Sequence, residues 1–157
     1  MNSLKARLLV DAAHLAWSNR DIAGLLACYC EDVRYTCNTG PNPSEPFVAV
    51  GKQAMMDFLL PVLGIATSMS VVERFVFRND AATATAACFV THHATGHVLS
   101  GKYRQVIAFR DEKIAQIDEF HDAARIAAFW KLVNAEARVK EETDNGPAGE
   151  PTPTHKQ

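Results

Sequence analysis

The sequence has no block of lysines or arginines, and its opposite charges nearly cancel. It carries 16 Lys and Arg against 18 Asp and Glu in 157 residues, a formal net charge of −2. Basic side chains supply most of the affinity of proteins for nucleic acids and for anionic membranes, so we expect neither as a partner. Long apolar runs are lacking too, since no stretch approaches the ~18 apolar residues of a membrane span.

Cysteine is scarce, and its spacing fits neither a disulfide framework nor a zinc ribbon. The four cysteines, at positions 28, 30, 37 and 88, contain no Cys-x-x-Cys pair. We therefore expect free thiols in a reducing compartment. The N-terminal apolar run is broken by Asp11 and lacks a small-residue cleavage site, unlike a signal peptide. These features predict a cytoplasmic protein.

Helical spacing of apolar residues dominates the first third of the chain. The length of 157 residues suits one domain, which we place at residues 1–139. A second helix is expected to start near Asn19 or Asp21, and a third after Gly51, with Pro61 bending or ending it. The first helix is predicted from the spacing of Leu4, Leu8, Ala12 and Leu15.

The apolar period changes to two after the third helix. Helices followed by antiparallel strands predict an α+β architecture, with helices covering one face of a curved sheet that can enclose a pocket. A short strand around Tyr35 and a loop rich in Pro and Gly precede this region. The four long strands are predicted at 69–77, 83–94, 98–109 and 114–122.

The end of the chain divides into a closing helix and a polar tail. Apolar residues from Ala123 to Val133 predict the helix, with Asp122 as its N-cap. Residues 140–157 combine charges with Pro and Gly and offer nothing to bury. We therefore predict that this segment is disordered.

Strand alignment decides which side chains face the interior. A tight turn at Thr95-Gly96 would place Cys88 opposite Tyr103 and Ala86 opposite Gln105. The face that carries Tyr103 and Gln105 is mainly apolar, which indicates that it is the buried one. A slip of one residue would exchange the two faces.

The last hairpin extends this face to a carboxyl and an imidazole. A three-residue loop at 111–113 would place Ile117 opposite Ile107, Glu119 opposite Gln105 and, one pair further, His121 opposite Tyr103. The sequence thus predicts that a carboxyl, an imidazole, a phenol and an amide lie together on one apolar surface.

This cluster of Glu119, His121, Tyr103 and Gln105 is the candidate catalytic site. Burial should raise the pKa of Glu119 toward neutrality, so that it can move a proton. His121 would relay the proton or orient Glu119, while Tyr103 and Gln105 would stabilise a developing oxyanion. The alternative is a structural network in which Gln105 or an arginine satisfies the buried carboxyl.

Further residues are expected to line the cavity without reacting. Three other histidines raise the possibility of a metal site, but His92 and His93 are adjacent in a strand and point to opposite faces. We therefore expect no metal. The predicted lining residues are Trp17, Tyr35, Cys37, Phe58, Cys88, His92, Ile107 and Ile117.

The order of these elements, together with four loose motifs, resembles the nuclear transport factor 2-like superfamily, in particular its SnoaL-like and ketosteroid isomerase-like members. The resemblance covers about residues 4–135 and implies a cone-shaped, cystatin-like α+β roll with three N-terminal helices, a small hydrophobic ligand and a homodimer formed through the outer sheet face. The motifs are Asn19-Arg20-Asp21 and the segments at 29–35, 51–55 and 109–120.

The resemblance also separates the activities known in this superfamily. The positions of the isomerase base and its two oxyanion donors are occupied here by Cys37, Ala13 and Gln105, so steroid isomerisation by that mechanism is not expected. SnoaL-like cyclases place an acid–base Asp where this chain has Glu119. Two hypotheses follow: a cofactor-independent isomerase, cyclase or dehydratase acting on a small apolar carbonyl compound, or a non-catalytic domain for ligand binding or dimerisation.

Overall fold

The computed structural model describes residues 1–40 and 45–144, in which two helices open the chain, a third separates two short strands from four long ones, and a fourth closes it. The predicted four helices and five strands all form, and a further short strand is present at Phe47–Val50. The elements are α1 (Ser3–Ser18), α2 (Ile22–Ala27), β1 (Tyr29–Cys37), β2 (Phe47–Val50), α3 (Lys52–Ile65), β3 (Ala66–Arg78), β4 (Ala81–His92), β5 (Val98–Arg110), β6 (Lys113–Phe120) and α4 (Ala123–Asp144).

The six strands form one sheet in the order β2-β1-β6-β5-β4-β3. All neighbouring strands are antiparallel except β1 and β6, which run parallel and bring Tyr35 beside Ile117 and Cys37 beside Glu119. The predicted α+β class is therefore confirmed. The parallel pair places the first strand of the chain next to the last one.

Helix α1 packs with a different face from the one that its large apolar residues indicate. Its exposed side carries the leucines used to predict it, and Leu4 and Leu15 keep 69% and 62% of their surface exposed. The buried side contains smaller residues, among them Ala6, Val10 and Ala13. Small side chains let the helix approach the sheet closely, and this packing outweighs the preference of leucine for the interior.

Helix ends follow local chemistry closely. The Asp21 side chain accepts a hydrogen bond from the backbone N–H of Gly24 and caps α2. Asp122 accepts one from Arg125 N–H at 3.1 Å, so its predicted role as the cap of α4 is confirmed. Pro61 lies inside α3, which continues to Ile65.

The C-terminal boundary differs from the one expected from composition. Helix α4 continues through residues 140–144, which we had placed in the disordered tail. The rest of that predicted tail, 145–157, and residues 41–44 of the Pro-rich loop lie outside the described residues. Within the described part of the chain, no helix is both long and apolar enough to cross a bilayer.

The β4–β5 hairpin keeps the predicted faces but shifts in register. Tyr103 pairs with Ala86 and Gln105 with Ala84, two residues away from the expected partners. The reason is that the strands end at His92 and Val98, which leaves a five-residue connection instead of a tighter turn. A shift of two residues preserves side-chain direction, so the inward-facing set is unchanged.

The β5–β6 hairpin has the predicted pairing by a different local route. Ile107 pairs with Ile117 and Gln105 with Glu119, as expected. The connection is a two-residue turn at Asp111 and Glu112, both with positive φ. The pairing shifts by one residue at a bulge between Ala108 and Phe109. The turn is one residue shorter than predicted and the bulge adds one residue, so the pairs beyond the bulge are the predicted ones.

We predict that shortening Ile107 to alanine destabilises the fold by roughly 2–5 kcal/mol, because its side chain is completely buried and leaves a cavity in the core. Chemical denaturation of both variants measures this. Ile65→Ala is the matched control, since Ile65 is 46% exposed at the end of α3 and its change should stay below about 1 kcal/mol. Equal losses would contradict the position of the core.

Candidate functional site

A cavity of about 510 Å³ lies between the helices and the inner face of the sheet. Its wall is mainly apolar, and its polar groups come from β6 and β5 but also from α1 and β3. The lining residues include Ala13, His14 and Trp17 from α1, Phe58, Leu59 and Val62 from α3, Ser68 and Ser70 from β3, Cys88 and Val90 from β4, Tyr103 and Gln105 from β5, Glu119 from β6, and Ile126 and Trp130 from α4.

The carboxylate of Glu119 receives three hydrogen bonds. Its Oε2 accepts from the Tyr35 hydroxyl at 2.8 Å and lies 3.2 Å from His121 Nε2, while its Oε1 accepts from Gln105 Nε2 at 2.9 Å. The donors come from β1, from β5 and from the residue that follows β6 by one position. These strands meet at Glu119 because β6 lies between β1 and β5.

His121 lies just beyond β6, where the Asn38 side chain holds its backbone. Asn38 Nδ2 donates to the carbonyl of His121 at 2.9 Å, and Asn38 Oδ1 accepts from its N–H at 2.8 Å. The imidazole stacks on the ring of Tyr103 with centroids 4.4 Å apart and planes 12° apart. The predicted neighbours are therefore in contact, although regular pairing with β5 ends at Phe120.

Glu119 and His121 form an ion pair. Burial alone would lower the pKa of His121, but hydrogen bonds to Cys37 and Glu119 and the negative charge of Glu119 outweigh it and raise this pKa to about 9. Burial alone would raise the pKa of Glu119, but the hydrogen bond and charge of His121, with Gln105 and Tyr35, bring it below its ordinary value. At neutral pH the pair consists of a carboxylate and an imidazolium.

The expected raised pKa of Glu119 is therefore wrong in direction. That expectation considered desolvation alone, which does act in the predicted sense. The hydrogen bonds and the positive charge at Glu119 come from side chains that converge on it only in the folded chain. One group of the pair can accept a proton and the other can donate one.

A directed chain of hydrogen bonds extends from the carboxylate into α1. An ionised carboxylate only accepts, so the Gln105 amide nitrogen faces Glu119 and its oxygen accepts from His14 Nε2 at 3.0 Å. Burial lowers the pKa of His14 and keeps it neutral. Its Nδ1 therefore accepts from the Ser70 hydroxyl at 2.8 Å. Gln105 orients Glu119 and has its amide oxygen committed to His14.

The two tyrosines at the site remain neutral phenols. Burial and the nearby charge of Glu119 raise the pKa of Tyr35 and of Tyr103 well above the ordinary value. Tyr35 donates to Glu119, whereas Tyr103 is stacked on His121. Tyr103 is thus a neutral donor next to the ion pair and in the cavity wall.

Three side chains at this end of the cavity offer atoms that metals can bind. The Cys37 sulfur and one ligand atom each from Glu119 and His121 lie within 4.8 Å of one another. The carboxylate is already satisfied by its three donors, and His121 Nε2 already lies against it. A cation would have to replace that ion pair, so we assign no metal here.

Five of the eight predicted lining residues border the cavity, and three do not. Trp17, Tyr35, Cys37, Phe58 and Cys88 are in its wall. Ile107 and Ile117 are inward-facing as predicted but enclosed in the main core cluster. His92 is buried, with Nδ1 3.0 Å from Thr95 Oγ1 and its ring edge-on to Trp130. The alternation along a strand predicts which side chains face inward, but it does not predict whether they border the cavity or the packed core.

Sequence reasoning missed His14, Ser70 and Asn38. His14 lies on α1, on the side opposite the leucines that predict this helix, so its inward direction was not apparent. It is one residue from Ala13 and four from Val10, a spacing that indicates the buried face once α1 is correctly rotated. Asn38 falls in the polar loop after β1, where nothing in the sequence indicates a partner 83 residues away.

Comparison with solved structures agrees with this fold. An NTF2-like protein of unknown function from Burkholderia pseudomallei K96243 superposes with a TM-score of 0.69 at 20% identity, over 80% of this chain and 95% of that one. A protein from Xanthomonas campestris pv. campestris, for which polyketide cyclase activity is suggested, gives 0.68 at 21% identity, over 82% and 98%.

TerC, crystallised with polyporic acid, gives a TM-score of 0.68 at 18% identity, over 83% of this chain and 98% of that one. No curated protein sequence matches at a significant level. The fold is that of the nuclear transport factor 2-like superfamily, as the sequence resemblance predicts. The model of the SnoaL-like domain matches residues 10–117, and the chain belongs to that family.

The ion pair predicts how stability depends on pH. Because the pKa of His121 is raised from 6.5 to about 9 on folding, its protonation stabilises the fold fully below pH 6.5 and loses this effect as pH rises through 9. The free energy of unfolding of the wild type, measured in urea, should therefore lose about 3 kcal/mol more than that of His121→Gln over this range.

Glu119→Gln provides the control. Without the carboxylate, both contributions of Glu119 to the raised pKa of His121 are lost, so His121→Gln in that background should change the pH dependence much less than it does in the wild type. The charged and titratable groups near the pair are Cys37, Tyr35, Tyr103 and His14. A constant difference between wild type and His121→Gln across the pH range would contradict the ion pair.

Proposed function

We propose that this protein is a cofactor-independent enzyme that transfers protons on a small, mostly apolar carbonyl compound. The observation that carries the proposal is the ionised Glu119–His121 pair in the wall of a 510 Å³ cavity. A carboxylate can take a proton from carbon while an imidazolium supplies one to oxygen. Both protonation states needed are present together at neutral pH.

Each polar residue then has a distinct role. Glu119 removes the proton next to the carbonyl group, and His121 donates to the carbonyl oxygen as its charge grows. Tyr103 adds a neutral donor beside His121. Gln105 is a positioning residue, because its amide nitrogen donates to Glu119 and its oxygen accepts from His14.

The cavity supports a substrate with apolar rings and few polar atoms. Its volume of about 510 Å³ is in the range of ~300–1,000 Å³ that suits small-molecule ligands. Trp17 from α1 and Phe58 from α3 offer flat apolar surfaces in the cavity wall. The similar protein TerC was crystallised with polyporic acid, which supports a small organic ligand for this fold.

The size of the cavity argues against a purely structural domain. A dimerisation module needs no internal void, and its core can be filled by aromatic side chains. Here the void remains, and a charged pair that would be costly to bury without use faces it.

The fate of the enolate determines the type of reaction. Return of the proton to another carbon gives isomerisation, whereas attack of the enolate on a second carbonyl gives cyclisation.

Glu119→Gln should abolish the proton transfer. We expect the wild type to accelerate exchange of the α-protons of a bound ketone such as 2-tetralone in D₂O, followed by NMR. The variant should lose about 10²- to 10⁴-fold, because the amide cannot accept the proton. Quenching of tryptophan fluorescence checks that the ketone still binds.

Asp118→Asn is the matched control. Asp118 precedes Glu119 on β6 but faces the other way, toward Arg34 and Gln116. Its exchange rate should equal that of the wild type. Ketones that bind without faster exchange, or equal rates for wild type and Glu119→Gln, would contradict the proposal.

We also propose that two copies of the chain associate through the outer sheet face. An outer patch of Met69, Val71, Phe89 and Val98 remains between 47% and 58% exposed on β3, β4 and β5. Glu73 and Lys102 form an ion pair at 2.6 Å on these strands. A two-fold axis through the patch would cover the apolar residues with their own copies.

Val71→Lys should separate the dimer, because it places charge in the apolar contact. Val50→Lys is the matched control, since Val50 is 66% exposed on β2 at the far edge of the sheet. Sedimentation velocity at micromolar concentration should show dimers for the wild type and the control and monomers for Val71→Lys. A monomeric wild type would rule out this association.

A further inference from the structure

The thiol of Cys37 is a nucleophile at the ion pair that the proposed proton transfer does not use. Cys37 lines the cavity at the end of β1, and parallel pairing places it beside Glu119. Its sulfur lies within 4.8 Å of ligand atoms of both Glu119 and His121. In enzymes with a cysteine nucleophile, an imidazole activates the thiol and a third polar group, such as a carboxylate, orients the imidazole.

The neighbours of Cys37 distinguish it from the other cysteines. Its Sγ is 3.0 Å from Thr39 Oγ1 and within 4.8 Å of a ring nitrogen of His121. The sulfurs of Cys28 and Cys30 instead donate to backbone carbonyls, at 3.3 Å and 3.6 Å.

Cys88 offers an internal comparison in the same cavity. It also lines the wall and is more exposed than Cys37, which retains only 2% of its surface. Among the described residues, the cluster of possible metal ligands includes Cys37 and not Cys88. Burial raises the pKa of Cys88, which disfavours its thiolate. If exposure decides reactivity, Cys88 reacts faster, whereas if activation by neighbouring groups decides it, Cys37 reacts faster.

We propose that Cys37 forms a reversible thioether with α,β-unsaturated carbonyl compounds bound in the cavity. The sulfur adds to the β-carbon, so that a C–S bond forms and the C=C π bond breaks. The electron pair moves toward the carbonyl oxygen, which gives an enolate next to His121. As the sulfur adds, the His121 imidazolium donates a proton to the α-carbon and takes up the thiol proton in its place, so the charged pair is restored.

The net change is addition of S–H across a C=C bond, and it needs no oxidant, reductant or further reactant. Elimination along the same path releases the compound. Because this reaction depends on Cys37 and not on enolisation by Glu119, it stands independently of the proposed function. The required ligand is a soft electrophile small enough to enter the 510 Å³ cavity.

Labelling of the native full-length chain tests the proposal. The probes are N-ethylmaleimide and 2-cyclohexen-1-one, and the rate at each of the four cysteines is followed by mass spectrometry of the intact protein and its peptides. We expect Cys37 to react at least about tenfold faster than Cys88 despite its lower exposure. An order that follows exposure, with Cys88 first, overturns the proposal, and this comparison needs no variant.

His121→Gln should slow the labelling of Cys37 by about tenfold or more and leave Cys88 unchanged. His93→Gln is the matched control, since His93 is exposed and bonded to Thr67 outside the cavity. The rate at Cys88 reports on folding in each variant. Unchanged labelling of Cys37 in a folded His121→Gln protein contradicts activation by the imidazole. The assay requires no turnover, so its failure leaves the proton-transfer proposal intact.

Discussion

The ion pair between Glu119 and His121 determines the protonation and the orientation of the groups around it. Removing a carboxylate and an imidazolium from water is costly, and their attraction compensates only if hydrogen bonds satisfy the remaining lone pairs. Here Tyr35 and Gln105 complete the shell of the carboxylate. Apolar side chains of similar size could hold these strands together equally well. The proposed function therefore rests on the position of the pair in a cavity wall.

The direction of every hydrogen bond beyond the pair follows from the charge of Glu119. The carboxylate orients the amide of Gln105, the amide selects the tautomer of His14, and His14 in turn directs the hydroxyl of Ser70. This chain crosses β6, β5, α1 and β3, so it ties the first helix to the strands that carry the site. Groups held in this way need little reorganisation when a ligand enters.

The face of the sheet to which each strand residue points was the property most easily predicted from the sequence. Glu119 faces inward with Ile117 whether the β5–β6 connection is a three-residue loop or a two-residue turn with a bulge. The two-residue shift between β4 and β5 also preserves the faces. The fold class and the neighbours of Glu119 on β5 could therefore be derived before the structure was known.

Features that depend on contacts between distant elements could not be derived in this way. Tyr35 reaches Glu119 because β1 runs parallel to β6, a pairing that no local pattern indicates. The lowered pKa of Glu119 rests partly on that contact. The buried face of α1 could not be derived from the spacing of its leucines, because the sheet accepts a face of small residues. The inward direction of His14 was not apparent for the same reason.

Titration of His121 by NMR tests the central claim most directly. In protein labelled with ¹³C and ¹⁵N in histidine, the ring signals of His121, assigned with His121→Gln, would be followed from acid to alkaline pH. The ion pair predicts an apparent pKa near 9, raised by Cys37 and by the carboxylate of Glu119. A midpoint at or below the ordinary value of 6.5 would show that the imidazole is neutral in the working protein, and the charged pair on which this account rests would not exist.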